Sequence, residues 1–188
     1  INNGDASGVM QHLQQPSGVE YLNHGQSSAE LLKAKQIERI YHPYLNAETP
    51  RQALERFSQF RILTAVKGGD FGVENLNRQI ETRLRAVGAI STANDYRGRP
   101  IMVSQNDYTL QLFNGDIGII WPDDADGGIL KAWFIRADDT LVALSPRRIP
   151  QHETAYAMTI HKSQGSEFDT LWIALPFAAD LMSRELLY

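Results

Sequence analysis

Apolar positions along this chain change their period several times, and each change marks a new element. Leu31, Leu32, Ile37, Ile40, Tyr41 and Leu45 recur at helical spacing, so the segment to about Phe57 reads as helical, with Ser27 or Ser28 as N-cap and Glu30 in the first turn. Pro43 is expected to perturb the end of this helix. A second, short helix is expected from Thr49, where Pro50 takes the favoured first position and Ala53, Leu54 and Phe57 supply an apolar face. Phe60 to Val66 is rich in β-formers and gives way to Lys67-Gly68-Gly69-Asp70. Beyond that turn Val73, Leu76, Ile80 and Leu84 mark one face of a helix, completing a strand, glycine turn, helix unit.

From about Arg99 to Ile149 the period shortens. Ile101 to Val103, Asp116 to Trp121, Leu130 to Ile135 and Thr140 to Leu144 read as short strands, punctuated by turn clusters at 113–116, 123–128 and 137–139. A small antiparallel barrel or meander inserted into an α/β layer accounts for this switch. Two further apolar runs, Ala155 to Met158 and Leu171 to Leu175, then bracket the polar stretch Thr159-Ile160-His161-Lys162-Ser163-Gln164-Gly165-Ser166-Glu167-Phe168-Asp169. That arrangement predicts strand, loop, strand.

Composition narrows the classes. The chain has 188 residues, 43% of them apolar, which suits one good core or a core plus a small module. No cysteine is present, which removes disulfides, thiol nucleophiles and cysteine metal sites and fits a reducing, cytoplasmic setting. No apolar run approaches the roughly 20 residues that cross a bilayer. With a formal charge of -4 the chain has no global positive field, so any contact with nucleic acid must be local. The lack of an initiator methionine and the helix-like opening Arg184 to Tyr188 lead us to expect a piece of a larger protein.

The loop at 159–169 holds the densest candidate chemistry. Lys162 can meet a phosphate as a point charge, backbone N–H groups near Gly165 can approach an anion closely, and Glu167 can accept from a sugar hydroxyl. The plainer reading is a polar turn in which Thr159 and Ser163 cap a short helix and Lys162 is solvated. Lys67, at the end of a strand, is a second phosphate candidate, with the alternative that 67–70 is a flexible turn and Asn77 a helix-surface residue. Asn106, Tyr108 and Asn114 form a third group, in which Asn-Gly favours a tight hairpin and Tyr108 can stack on a base. Arg147-Arg148 is a small basic pair. Asp123, Asp124 and Asp126 are the densest acidic run, the one feature that would suit a nuclease metal site, although a solvated turn explains it as well.

Tyr156 to Asp169, as written out above, closely resembles motif V of superfamily 1 helicases in the form found in RecD-like 5′-to-3′ DNA helicases. The likeness extends to residues 62–77, to Gly98 through Val103, to Asn106 and to Leu112 through Gly118, in matching order and spacing. It covers about residues 60 to 188. The resemblance implies an α/β fold: a RecA-like (P-loop NTPase-type) second motor domain with an inserted small antiparallel SH3-like β-barrel. Residues 1–98 would hold a helical segment and the first part of that domain, 99–150 the insertion, and 151–188 the return.

In the family this motif lies between a single-stranded DNA track and an ATP cleft. The resemblance therefore implies that Thr159, His161, Lys162 and Ser163 face DNA, and the residue readings above add Asn106, Tyr108, Asn114 and Arg148 as candidates for the same ligand. It also implies that Gln164, Gly165, Ser166 and Glu167 face the nucleotide; Lys67, as a strand-end cation, is added as a candidate for the same ligand. ATP and Mg2+ would serve the intact protein, and single-stranded DNA with the RecB and RecC subunits of an exonuclease V complex would be its partners. No G-x-x-x-x-G-K-[ST] cradle and no Asp-Glu pair occurs in the chain, so this piece alone is expected to be inactive. A non-catalytic DNA-binding or scaffold module is the reading from a different class.

Overall fold

The computed structural model describes residues 27–174, so the helical opening expected at Arg184–Tyr188 and the end of the run at Leu175 lie outside it. Three helices come first: α1 (Ser28–Ala34), α2 (Ile37–Leu45) and α3 (Pro50–Ser58). Ser27 caps α1 in a reciprocal capping box with Glu30, and Thr49 caps α3 with Pro50 in the first turn. The expected continuous first helix is in fact two. Gln36 adopts a left-handed conformation at φ 50°, which closes α1 and redirects the chain into α2. Pro43 lies inside α2 rather than ending it. The helix stops two residues later, so its ring disturbs one bond near a terminus that is about to fray.

A parallel sheet of three strands carries the rest of the α/β layer. Its order is β7 (Ala157–Thr159), β1 (Phe60–Thr64), β8 (Thr170–Ala174), with β1 in the middle. Helix α4 (Val73–Ala86) follows β1 and buries Val73, Leu76, Ile80 and Leu84, the face its sequence marks. Phe60 and Ile62 point into a core shared with α2, α3 and α4, whereas Leu63 packs with Met102, Ala155 and Met158 at the junction with the second sheet.

That second sheet is antiparallel: β2 (Pro100–Val103), β3 (Ile117–Asp123), β4 (Ile129–Ile135), β5 (Leu141–Leu144) and β6 (His152–Thr154), in the order β5-β4-β3-β2-β6. Alternation sorts its two faces. Ile119 and Trp121 join the core under the helices, and Ile120, Ala132 and Phe134 form a separate core with Leu110, Leu112 and Ile149. No closed barrel forms here. The short strands β5 and β6 are opposite edges of the sheet, and the connection 145–151 crosses from one edge to the other without pairing them. The antiparallel sheet also runs on to Thr154, beyond the expected limit at residue 150.

Candidate nucleic-acid and nucleotide interface

The position of β1 between β7 and β8 dictates the path of the 159–169 loop. Thr64 pairs with Thr159 at the C-terminal end of β1, while Phe60 pairs with Thr170 at its N-terminal end. The loop therefore leaves one end of the sheet and re-enters at the other, a span of about 13 Å along the strands at ~3.3 Å per residue. It begins as a 3-10 turn, Ile160–Ser163, closed by Ser163 Oγ donating to the Ile160 carbonyl at 2.8 Å. Gly165 takes φ +82° with no atom near the place a Cβ would occupy, so a side chain there is strained by backbone conformation alone.

The start of this segment is held firmly. Asn77 on α4 is buried, and its amide both donates to the Ala157 carbonyl at 3.0 Å and accepts from the Ala157 N–H at 2.9 Å. The expectation of a helix-surface Asn77 is thus wrong: the residue clasps β7. Just before β7, the Tyr156 hydroxyl lies 3.1 Å from those of both Tyr44 and Tyr96, and Tyr41 donates to the Tyr156 carbonyl at 2.9 Å. Tyr96 in turn donates to Glu81 at 2.7 Å. Burial pushes all four tyrosine hydroxyls well above their ordinary range, so they stay neutral.

Lys162 is paired rather than free in solvent. Its ammonium meets Glu153 of β6 at 2.6 Å and is half-buried. Glu153 carries no motif of its own, and only the pairing of β6 with β2 brings it here. A phosphate arriving at Lys162 must share or displace that carboxylate.

Residues 154–188 match a UvrD-like helicase C-terminal domain. The RecBCD enzyme subunit RecD of Haemophilus influenzae is 41% identical over 137 residues, which are 71% of this chain and 20% of that protein. The subunit of the same name from Mycolicibacterium smegmatis is 38% identical over 142 residues, 73% of this chain and 24% of that one. The chain belongs to the RecD family. A more distant member, the ATP-dependent RecD2 DNA helicase of Deinococcus radiodurans, is 29% identical over 68% of the chain. This RecD-family chain spans about a fifth to a quarter of the length of the curated relatives it matches.

The motif residues of this RecD-family chain fall into two groups. Lys162, Ser166 and Glu167 line one cavity of about 260 Å³, together with Arg61 of β1 and Gly115 of the hairpin. His161, Gln164 and Gly165 are exposed, and Thr159 and Ser163 are half-buried along the same loop. Lys67 is not among the residues lining that cavity. It follows the C-terminal end of β1, the end that Thr159 occupies on β7, and among the described residues its exposed ammonium makes no hydrogen bond or ion pair. Its turn is not flexible in the way the glycines suggest: Asp70 accepts from both the backbone and hydroxyl of Ser28 at 2.7 Å, and Gly72 packs against the backbone of Lys67 and Gly68 so closely that no Cβ fits.

Asn106 serves the hairpin, accepting from the Asn114 N–H at 2.7 Å. Tyr108 is 77% exposed and meets Phe113, 46% exposed, edge-to-face with centroids 6.1 Å apart. Phe113 had no sequence signal beyond its place before Asn-Gly. Arg148 is exposed on the connection that crosses from β5 to β6. Lys131 bridges Asp123 and Asp126 at 2.7 and 2.9 Å, so the acidic run is tied to a cation on its own hairpin.

Proposed function

We propose that the intact protein is an ATP-dependent 5′-to-3′ DNA helicase subunit of a RecBCD (exonuclease V) assembly, acting in double-strand break repair and recombination. In this reading the chain is the second RecA-like motor domain, the antiparallel sheet is its SH3-like insertion, and RecB and RecC are its partners. The observation that carries the reading is the path of the motif-bearing loop from one end of a parallel sheet to the other. A loop so placed can hold a DNA phosphate near its start and a nucleotide near its finish. Its anchor at Asn77 and Tyr156 keeps the first flank fixed while the exposed second flank responds.

The chemistry available is binding and orientation. Lys162 supplies charge to a DNA phosphate, Thr159 and Ser163 supply hydroxyls, and Tyr108 with Phe113 offers ring faces to bases. Toward the nucleotide, Gln164 and Ser166 offer hydrogen bonds, Gly165 admits close backbone approach, and Glu167 accepts from a ribose hydroxyl. Among the described residues no three His, Asp or Glu side chains gather to hold a metal ion. ATP would supply the driving phosphoryl transfer, and these residues would couple its binding to the grip on DNA.

ATPase activity of the intact protein, with and without single-stranded DNA, tests the reading. Stimulation by DNA is expected, and Lys162→Ala should reduce the stimulated rate about 10-fold or more while sparing the basal rate. Equal loss of both rates would sink the coupling role of this loop, and an intact protein without ATPase activity would favour a scaffold module.

A further inference from the structure

The cavity beside the loop has a feature that helicase motif chemistry does not use. Arg61, the second residue of β1, is 2% exposed, yet among the described residues it pairs with no carboxylate. One terminal nitrogen donates to the Ala155 carbonyl at 3.0 Å, while its Nε is buried without a partner among the described residues. The guanidinium lies 4.0 Å from the Phe57 ring centroid and 5.5 Å from that of Phe168. Burial lowers its pKa to about 10, so it stays a cation at neutral pH.

A buried cation without a counter-charge is costly, and packing alone would be served as well by methionine or leucine. Arg61 also lines the cavity of about 260 Å³ that Lys162, Ser166 and Phe168 share. This cavity sits at the junction of the two sheets, a usual place for ligand sites. Apolar walls come from Ile117 and Met158. The lining carboxylates, Glu55 and Glu167, are both exposed, whereas Arg61 is buried.

We propose that Arg61 forms the floor of an anion site that takes the phosphate of one nucleotide unit, with the attached ring against Phe168 and the apolar wall. Two sources share this chemistry: a backbone phosphate of single-stranded DNA and the phosphate of a free nucleotide. The inference rests on the reading of the chain as a DNA- and nucleotide-handling domain, and it adds a residue outside motif V to that site. Arg61 provides a planar fork with its Nε free, and Lys162 provides the second charge once Glu153 yields it.

Arg61→Met in the intact protein tests this, because methionine keeps much of the packing and removes the charge. Binding of oligo-dT, ADP and adenosine is measured for both proteins. If DNA is the source, oligo-dT affinity falls about 10-fold and the slope of log affinity against log salt shrinks by about 0.7, the value of one single-strand phosphate contact. If the free nucleotide is the source, ADP affinity falls about 10-fold while adenosine binding is unchanged. The thermal midpoint without ligand should hold or rise, since an unpaired buried charge has been removed. Arg61→Lys should restore part of the lost affinity. Unchanged affinity for both oligo-dT and ADP would overturn the site while leaving the helicase reading intact; a wild-type protein that binds neither ligand would overturn both.

Discussion

The two faces of β1 have opposite characters. Phe60 and Ile62 enter a core of aromatic and aliphatic side chains in which four buried tyrosines find hydrogen-bond partners. On the other face, one residue along, Arg61 keeps an unpartnered Nε and borders a cavity. Successive residues of a strand point to opposite sides, so a five-residue strand separates a satisfied interior from an unsatisfied one. The start of the motif loop is anchored on the first face through Tyr156, and the loop borders the cavity on the second.

The strongest way to break this comparison is alkaline pH. Tyr41, Tyr44, Tyr96 and Tyr156 have folded-state pKa values raised by burial, so the folded protein holds their protons while the unfolded chain releases them above pH ~10. Their contribution is fully present below that pH and is lost as pH rises beyond it, by about 1.4 kcal/mol per pH unit for each tyrosine. Denaturation of the intact protein followed across this range should steepen, and Tyr156→Phe should reduce the slope by about one proton. An unaltered slope in that variant would mean that the tyrosine network is not closed as described.

Asn77→Ala comes next. It leaves the buried N–H and carbonyl of Ala157 without their amide partner, which costs about 3 kcal/mol by the usual penalty for unpaired buried groups. Urea denaturation reads that loss. If β7 anchors the grip on DNA, the DNA-stimulated ATPase of the surviving folded fraction should fall further than the basal rate. A variant that unfolds at the wild-type urea concentration would show that the clasp is dispensable.

The smallest effect sharpens the open side. Glu153→Gln releases Lys162 from an exposed ion pair of a kind that contributes about 0.2–1 kcal/mol. Single-stranded DNA should bind about 2- to 5-fold more tightly at low salt, with the difference shrinking as salt rises. Weaker binding would mean that Glu153 orients the lysine rather than competing for it.

Local signals carried much of this fold. The helical face of α4, the cap and proline of α3 and strands β2 to β5 follow from periodicity and turn chemistry, because those choices are made within a few residues, whereas β6 was not foreseen. The break between α1 and α2 was hidden, since Gln36 takes a left-handed conformation that its residue type does not announce. Closure of the antiparallel strands was overestimated for a different reason. Regular spacing of short strands is common to barrels and open sheets, and only the long-range order of β5 and β6 tells them apart. At the candidate site the motif loop was legible as a cluster of polar residues. Its partners Asn77, Glu153 and Arg61 were not, because each arrives from a different element through pairing across 80, 9 and 94 residues of chain.

The amide clasp at Asn77 also gives the parallel sheet a direction. The backbone groups of Ala157 that it occupies are the ones a fourth strand would need on the outer side of β7, and among the described residues no such side-chain clasp lies along β8. A strand pairing with the outer side of β7 would have to displace that clasp, whereas on β8 Leu171 and Ile173 are exposed. One asparagine thereby takes the place of a strand at that edge, supplying from a helix the hydrogen bonds a neighbour would otherwise make.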